Sequence, residues 1–142
     1  MSLWRPGVVA AMLAVIALAA GCETVPVTGR SEIVLLSEGE EAKLGGEAYQ
    51  QILTKSKLST NAAQNEMVRR VGSRIAAVTG QNYQWEYRLI EENQANAFAL
   101  PGGKVAVYTG ILPITRDDAG LAVVLGHEIS HVIARHSGER MS

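Results

Sequence analysis

Two histidines four residues apart, with a glutamate directly after the first, are the side chains best suited to chemistry in this sequence: Gly126-His127-Glu128-Ile129-Ser130-His131. On an α-helix that spacing sets the imidazoles about 6 Å apart along the axis and about 40° apart around it, so their ring nitrogens can converge on one ion. Neutral imidazole is a preferred zinc ligand, with Zn–N of about 2.0–2.1 Å. Glu128 stands beside the pair but is displaced around the helix, which suits it to reach a water at the ion rather than the ion itself. Zinc held there would acidify such a water and polarise a carbonyl. Glu128 would take the proton as the water attacks and pass it to the leaving amine. The pattern fits metal-assisted hydrolysis, with His127 and His131 as metal ligands and Glu128 as general base.

A zinc enzyme of this kind needs a third protein ligand, and this helix does not supply it. The metzincin extension requires glycine at position 134 and histidine at position 137, where Ala134 and Ser137 stand. His136 lies about 140° around the helix from His131, and Glu139 about 12 Å along it, so neither shares the ion. Acidic residues of the earlier helices remain open on geometry, but none has a motif around it. The third ligand is therefore expected beyond Ser142.

The helix bearing the motif opens at Asp117 or Asp118, which suit the positive end of its dipole. Leu121, Val123, Val124, Leu125, Ile129, Val132 and Ile133 lie nearly all round it, which predicts a helix buried on every side. Upstream, Ser37 with Glu40 forms a capping box that opens a helix to about Lys55, with Ala42, Leu44, Ala48, Ile52 and Leu53 facing inward. Gly45 and Gly46 inside it point to a close helix–helix contact. A second helix runs from about Asn61 to Val78, its Met67, Val68, Val71, Ile75 and Val78 at helical spacing, with Gly80 as its stop. Arg69, Arg70 and Arg74 fall on its solvated face. Tyr83 to Ile90 alternates as a half-buried strand. Ala97–Leu100 and Lys104–Thr109 form a hairpin around Pro101-Gly102-Gly103, and Gly110–Ile114 is a short connection.

The chain has 142 residues, 47% of them hydrophobic, a formal net charge of −1 and one cysteine. That bounds a single modest domain, gives no sign of a nucleic-acid partner, and excludes an intrachain disulfide. The N-terminus differs from the rest. Arg5 precedes an uncharged run, Gly7 to Cys22, that has the pattern of an export signal and is too short to span a bilayer as a helix. Ala19-Ala20-Gly21-Cys22 resembles a bacterial lipobox, although leucine is preferred where Ala19 stands. Residues 1–21 are thus expected as a lipoprotein signal peptide, Cys22 as the lipidated residue and membrane anchor, 22–36 as a linker with a first short strand, and 37–142 as the N-terminal part of an enzyme domain. Acyl chains contribute about 0.8 kcal/mol per buried CH₂. Glu23, in place of aspartate, points to the outer membrane on its periplasmic side.

Three stretches carry a family resemblance: Asn96 to Val107 with Thr109 to Leu112, Asp117 to Val132 with Arg135-His136, and, more weakly, Glu40 to Gly45. Together they resemble the HtpX-like and CAAX-prenyl-protease-like gluzincin zinc metallopeptidases, and within them the periplasmic lipoprotein branch of the BepA and LoiP type. The resemblance implies an α+β, zincin-like fold, mostly helical, with a small antiparallel sheet beside the metal helix. It implies one zinc ion on His127 and His131, Glu128 as base, and a downstream glutamate as third ligand. It also implies that Asn96, Ala97, Phe98 and Ala99 form a sheet edge along which an extended substrate lies. The substrates implied are unfolded or misassembled cell-envelope proteins, with outer-membrane assembly machinery as partner. The rival expectation is a non-catalytic lipoprotein that uses the domain as a scaffold in outer-membrane assembly. Gly120 and Ser130 depart from the family, which often has glutamate and alanine there. Gly120 is expected to loosen the helix start, and Ser130 to add a buried hydroxyl.

Overall fold

The computed structural model describes residues 23–24, 31–32 and 36–141, with side chains from 36 to 134. The expected signal peptide, Cys22 and most of the expected linker and first strand over 22–36 lie outside the described residues, as do the side chains of His136 and Glu139. The described residues fall in two compact units. In one, strands β1 (Glu23–Thr24) and β2 (Ser31–Glu32) pair antiparallel, Glu23 opposite Glu32. The other, residues 36–138, holds the remaining elements up to the last turn of the final helix.

Helix α1 spans Glu38–Thr54. Ser37 Oγ accepts from the Glu40 N–H at 3.3 Å and the Glu40 carboxylate accepts from the Ser37 N–H at 2.9 Å, so the capping box forms in both directions. Those bonds hold the Glu40 carboxyl below the usual range. The inward face of α1 differs from expectation: Gly45 and Tyr49 are buried, while Leu44 is 51% exposed. The close contact at Gly45 is with a turn, not a helix. A Cβ there would stand 2.4 Å from the Pro101 carbonyl oxygen, whereas Gly46 has nothing within 4 Å. Seating Gly45 on that turn directs Tyr49 into the sheet, where its hydroxyl donates to the Val105 carbonyl at 2.7 Å.

Helix α2 spans Ala62–Val78, with Asn61 as its N-cap, and ends as expected before Gly80 in the left-handed region (φ +70°). Strand β3 is Glu86–Ile90, β4 Ala97–Leu100 and β5 Lys104–Tyr108. A 3-10 turn, Thr109–Ile111, and the short helix α3, Leu112–Thr115, fill the expected connection before α4, Asp118–Met141. The strand expected from Tyr83 starts only at Glu86. The Glu86 N–H pairs with Gly103 O at 3.0 Å, at the turn where β5 begins, so the residues before it lie beyond the backbone ladder with β5. Tyr83, Trp85 and Tyr87 keep their alternation as a run of neighbouring rings, with centroids 5.3 and 6.4 Å apart.

The sheet is mixed rather than antiparallel. Its order is β3-β5-β4: β4 and β5 form the expected hairpin, but β3 runs parallel to β5, with Glu86 opposite Lys104 and Ile90 opposite Tyr108. Alternation assigns each strand its faces but does not say which strand lies beside it. One sheet face (Leu89, Ala97, Val105, Val107) packs with Val68 and Val71 of α2 and Leu121, Leu125 and Ile129 of α4. The other face (Ile90, Ala106, flanked by Phe98, Leu100 and Tyr108) packs on Tyr49, Ile52 and Leu53 of α1. Fully burying each such aliphatic side chain contributes about 1.5–3 kcal/mol. Helices on both sides thus clamp a central β5 and fix where α4 lies against the hairpin. No helix among the described residues is long and apolar enough to cross a membrane.

Candidate active site

The histidine-bearing helix α4 is anchored at its first turn. Asp117 is the cap, its Oδ1 accepting from the Gly120 N–H at 2.8 Å. Asp118 is not a cap but the partner of Arg70 on α2, whose Nε and an Nη donate to the two carboxylate oxygens at 2.9 and 2.8 Å. The Arg70 hydrogen bond holds the Asp118 carboxyl below its ordinary range, with Arg74 adding to the same effect. Arg70 had been expected on a plain solvated face. Its partner is 48 residues away, and nothing local in the sequence signals the pair.

Leu121, Leu125, Ile129 and Val132 form a buried stripe along α4. The helix is not buried on every side, as its composition suggested. Val123 is 75% exposed, and His127, Ser130, His131 and Ala134 continue the exposed stripe at helical spacing. Among the described residues, the sheet and α2 pack against the buried stripe, and nothing packs on the other. Ser130 is therefore exposed, and its hydroxyl is satisfied by donating to the His127 carbonyl at 2.7 Å.

The imidazoles of His127 and His131 converge on that open stripe. Their Nε2 atoms are 3.0 Å apart, with the rings edge-to-face at 89° and centroids 4.4 Å apart. Two ligands on one tetrahedral zinc at about 2.0–2.1 Å have their donor atoms about 3.3 Å apart. The pair thus has the bite of a zinc site and fits the ion as two of its ligands. Glu128, half-buried, sits one residue around the helix from His127. No third histidine, cysteine, aspartate or glutamate joins the group among the described residues.

The two sheet edges are treated differently. On β3, the Leu89 carbonyl accepts from the Ser59 N–H at 2.9 Å and the Glu91 N–H donates to Lys57 O at 2.7 Å, so the segment before α2 covers that edge. On β4, Tyr108 N–H donates to Asn96 O at 2.9 Å, and the register pairs Phe98 with Ala106 and Leu100 with Lys104. Hydrogen-bonded pairs alternate along an antiparallel ladder, so Asn96, Phe98 and Leu100 turn their backbone groups to β5. Ala97 and Ala99 turn theirs outward, to an edge with no strand beyond it among the described residues. Of the four expected substrate-binding residues, the structure divides Ala97 and Ala99, whose backbone groups turn away from β5, from Asn96 and Phe98, which hold the sheet. Phe98 also sets its ring edge-on to Tyr108.

A mostly helical α+β unit with a histidine pair and glutamate on a helix beside a mixed sheet is the frame of a metallopeptidase. The sequence profile of peptidase family M48 matches residues 62–142, more than half of the chain, and the chain belongs to that family. It is similar to the mitochondrial metalloendopeptidase OMA1 of Schizosaccharomyces pombe, at 38% identity over 124 residues covering 84% of this chain and 37% of that protein. The corresponding protein of Saccharomyces cerevisiae is 30% identical over 132 residues, 82% of this chain and 38% of its own. The beta-barrel assembly-enhancing protease of Escherichia coli is 29% identical over 126 residues, 88% of this chain and 26% of that protein. The chain thus spans less than two-fifths of the length of these curated relatives.

Proposed function

We propose that the chain contributes the zinc-binding helix, general base and substrate-aligning edge of an endopeptidase that cleaves unfolded or misassembled cell-envelope proteins. The convergence of His127 and His131 to 3.0 Å on an open helix face, with Glu128 beside them, carries this reading. When bound, zinc supplies a Lewis acid that activates water and polarises the scissile carbonyl. Glu128 takes the water's proton on its carboxylate and delivers it to the departing amine. The outward N–H and C=O groups of Ala97 and Ala99 pair with the main chain of an extended substrate, which selects unfolded segments over particular side chains. The further zinc ligand is expected to be a glutamate outside the residues described.

The envelope setting is supported by the export-signal pattern ending at Cys22 and by similarity to a bacterial beta-barrel assembly-enhancing protease. In this reading Cys22 carries the lipid and holds the enzyme on the periplasmic side of the outer membrane, near the assembly machinery. The mitochondrial relatives support the chemistry and not the compartment. The test is cleavage of casein and of an unfolded outer-membrane protein by the protein in its full natural length, before and after stripping with 1,10-phenanthroline. The expected result is loss of cleavage on stripping and recovery with added zinc. Cleavage that persists after complete metal removal sinks the reading. An intact, zinc-loaded protein that cleaves neither substrate favours the scaffold role.

A further inference from the structure

The junction in front of the metal helix has an unusual build. Arg116 sits at φ +69°, ψ −50°, a backbone region strained for a side-chain-bearing residue, and the Asp117 N–H closes back on the Thr115 carbonyl at 2.8 Å. This is the rare, strained form of γ-turn. It throws the Thr115 carbonyl oxygen into the first turn of α4. There a Cβ on residue 120 would stand 1.9 Å from that oxygen, against the 3.0 Å below which real Cβ contacts essentially do not occur. Only glycine permits the seat. Gly120 therefore does not loosen the helix start; it lets the α3–α4 corner close hard against it. On the same turn, Asp118 is held by the Arg70 fork from α2. A planar guanidinium on two carboxylate oxygens fixes orientation as well as distance.

We propose that Gly120 and the Arg70–Asp118 pair are positioning residues, a two-point clamp that sets the axial height and rotation of α4 and so places His127 and His131 relative to the sheet. The inference rests on His127 and His131 being the metal-binding pair. His127 and His131 lie about two and three turns along the same rigid helix, respectively, so a displacement at Gly120 is carried to the imidazoles. The clamp comes from two sides: α3 blocks the helix from moving toward Thr115, and α2 blocks it from rolling away.

The experiment places a spin label opposite the clamp and measures where the histidine pair stands. In the chain with Cys22→Ser, the exposed Glu47 of α1 is replaced by cysteine and carries a nitroxide. Cu²⁺, which imidazole binds well, is bound to His127 and His131, and the copper–nitroxide distance distribution is measured by pulsed dipolar EPR. The parent is expected to give one narrow distribution. Gly120→Ala is expected to shift its mean by about 1 Å or more, the opening the Thr115 contact requires. Arg70→Lys, which keeps the charge and loses the fork, is expected to broaden it. Ile90→Val, a core truncation on the sheet face away from α4, is the stability control and is expected to leave the mean in place. Unchanged distributions in Gly120→Ala and Arg70→Lys overturn the clamp while leaving the metal-binding pair standing. An equal shift in Ile90→Val overturns it too, since loss of stability alone would then account for the movement. Failure of the parent to bind copper through the two histidines removes the ligand pair, and both readings with it.

Discussion

At Gly45 an added methyl would press on the Pro101 backbone, while its neighbour Gly46 faces open space. Gly46→Ala should therefore raise stability by about 0.5–1 kcal/mol, because alanine restricts the unfolded chain and costs nothing in the helix. Gly45→Ala should lower it by about 1–3 kcal/mol, the usual cost of overpacking. Urea denaturation of the two variants should show midpoints moving in opposite directions. Tyr49 makes a second residue-level case. Its buried hydroxyl holds the Val105 carbonyl, and burial pushes its phenol well above the ordinary range. Tyr49→Phe should cost about 1 kcal/mol. The sign of its pH effect follows from the raised folded-state value: the stability from the neutral phenol is whole below about pH 10 and declines above it. Thermal melts from pH 8 to 11 should show that alkaline decline in the parent and a weaker one in Tyr49→Phe. At this scale the histidine pair and its glutamate were legible, because their spacing alone carries the geometry. The partner of Gly45 was not, since a glycine announces a close approach without naming what approaches.

Among the elements, helix starts were legible from Ser37 and Asn61, whose caps act locally. The order of strands was not, because the parallel pairing of β3 with β5 depends on where β4 goes after its turn. That order decides which edge is free, and it yields a paired prediction. Ala99→Pro removes an outward N–H and leaves the β4–β5 ladder intact, whereas Phe98→Pro removes one that the ladder uses. Ala99→Pro should keep the melting temperature within a few degrees and raise KM for an unfolded substrate several-fold. Phe98→Pro should destabilise the fold outright. If Ala99→Pro cleaves with unaltered KM, substrate does not pair along β4. The clamp on α4 has its own pH signature. Since Arg70 holds the Asp118 carboxyl below its ordinary range, the stability from this pair is present above the unfolded value and is lost as pH falls through the lower, folded one. Melts below about pH 4 should steepen in the parent and flatten in Asp118→Asn.

For the molecule as a whole, the apolar circumference of α4 suggested a helix enclosed on every side, yet Val123, His127 and His131 stand open among the described residues. Composition records which residues suit burial, not whether the elements present can cover them. The same open stripe is where a zinc ion would meet both imidazoles, with Glu128 the next residue along the helix. Membership of peptidase family M48 and similarity to metalloendopeptidases agree with a metalloprotease role. The central claim is that Glu128 moves the proton while His127 and His131 hold the metal. It is tested most directly by casein cleavage with the protein in its full natural length, parent against Glu128→Gln, with bound zinc measured in the same samples. The account predicts unchanged zinc content and a kcat lower by about 10²–10⁴-fold, the usual contribution of a positioned general base. A variant that retains its zinc and cleaves as fast as the parent would contradict it.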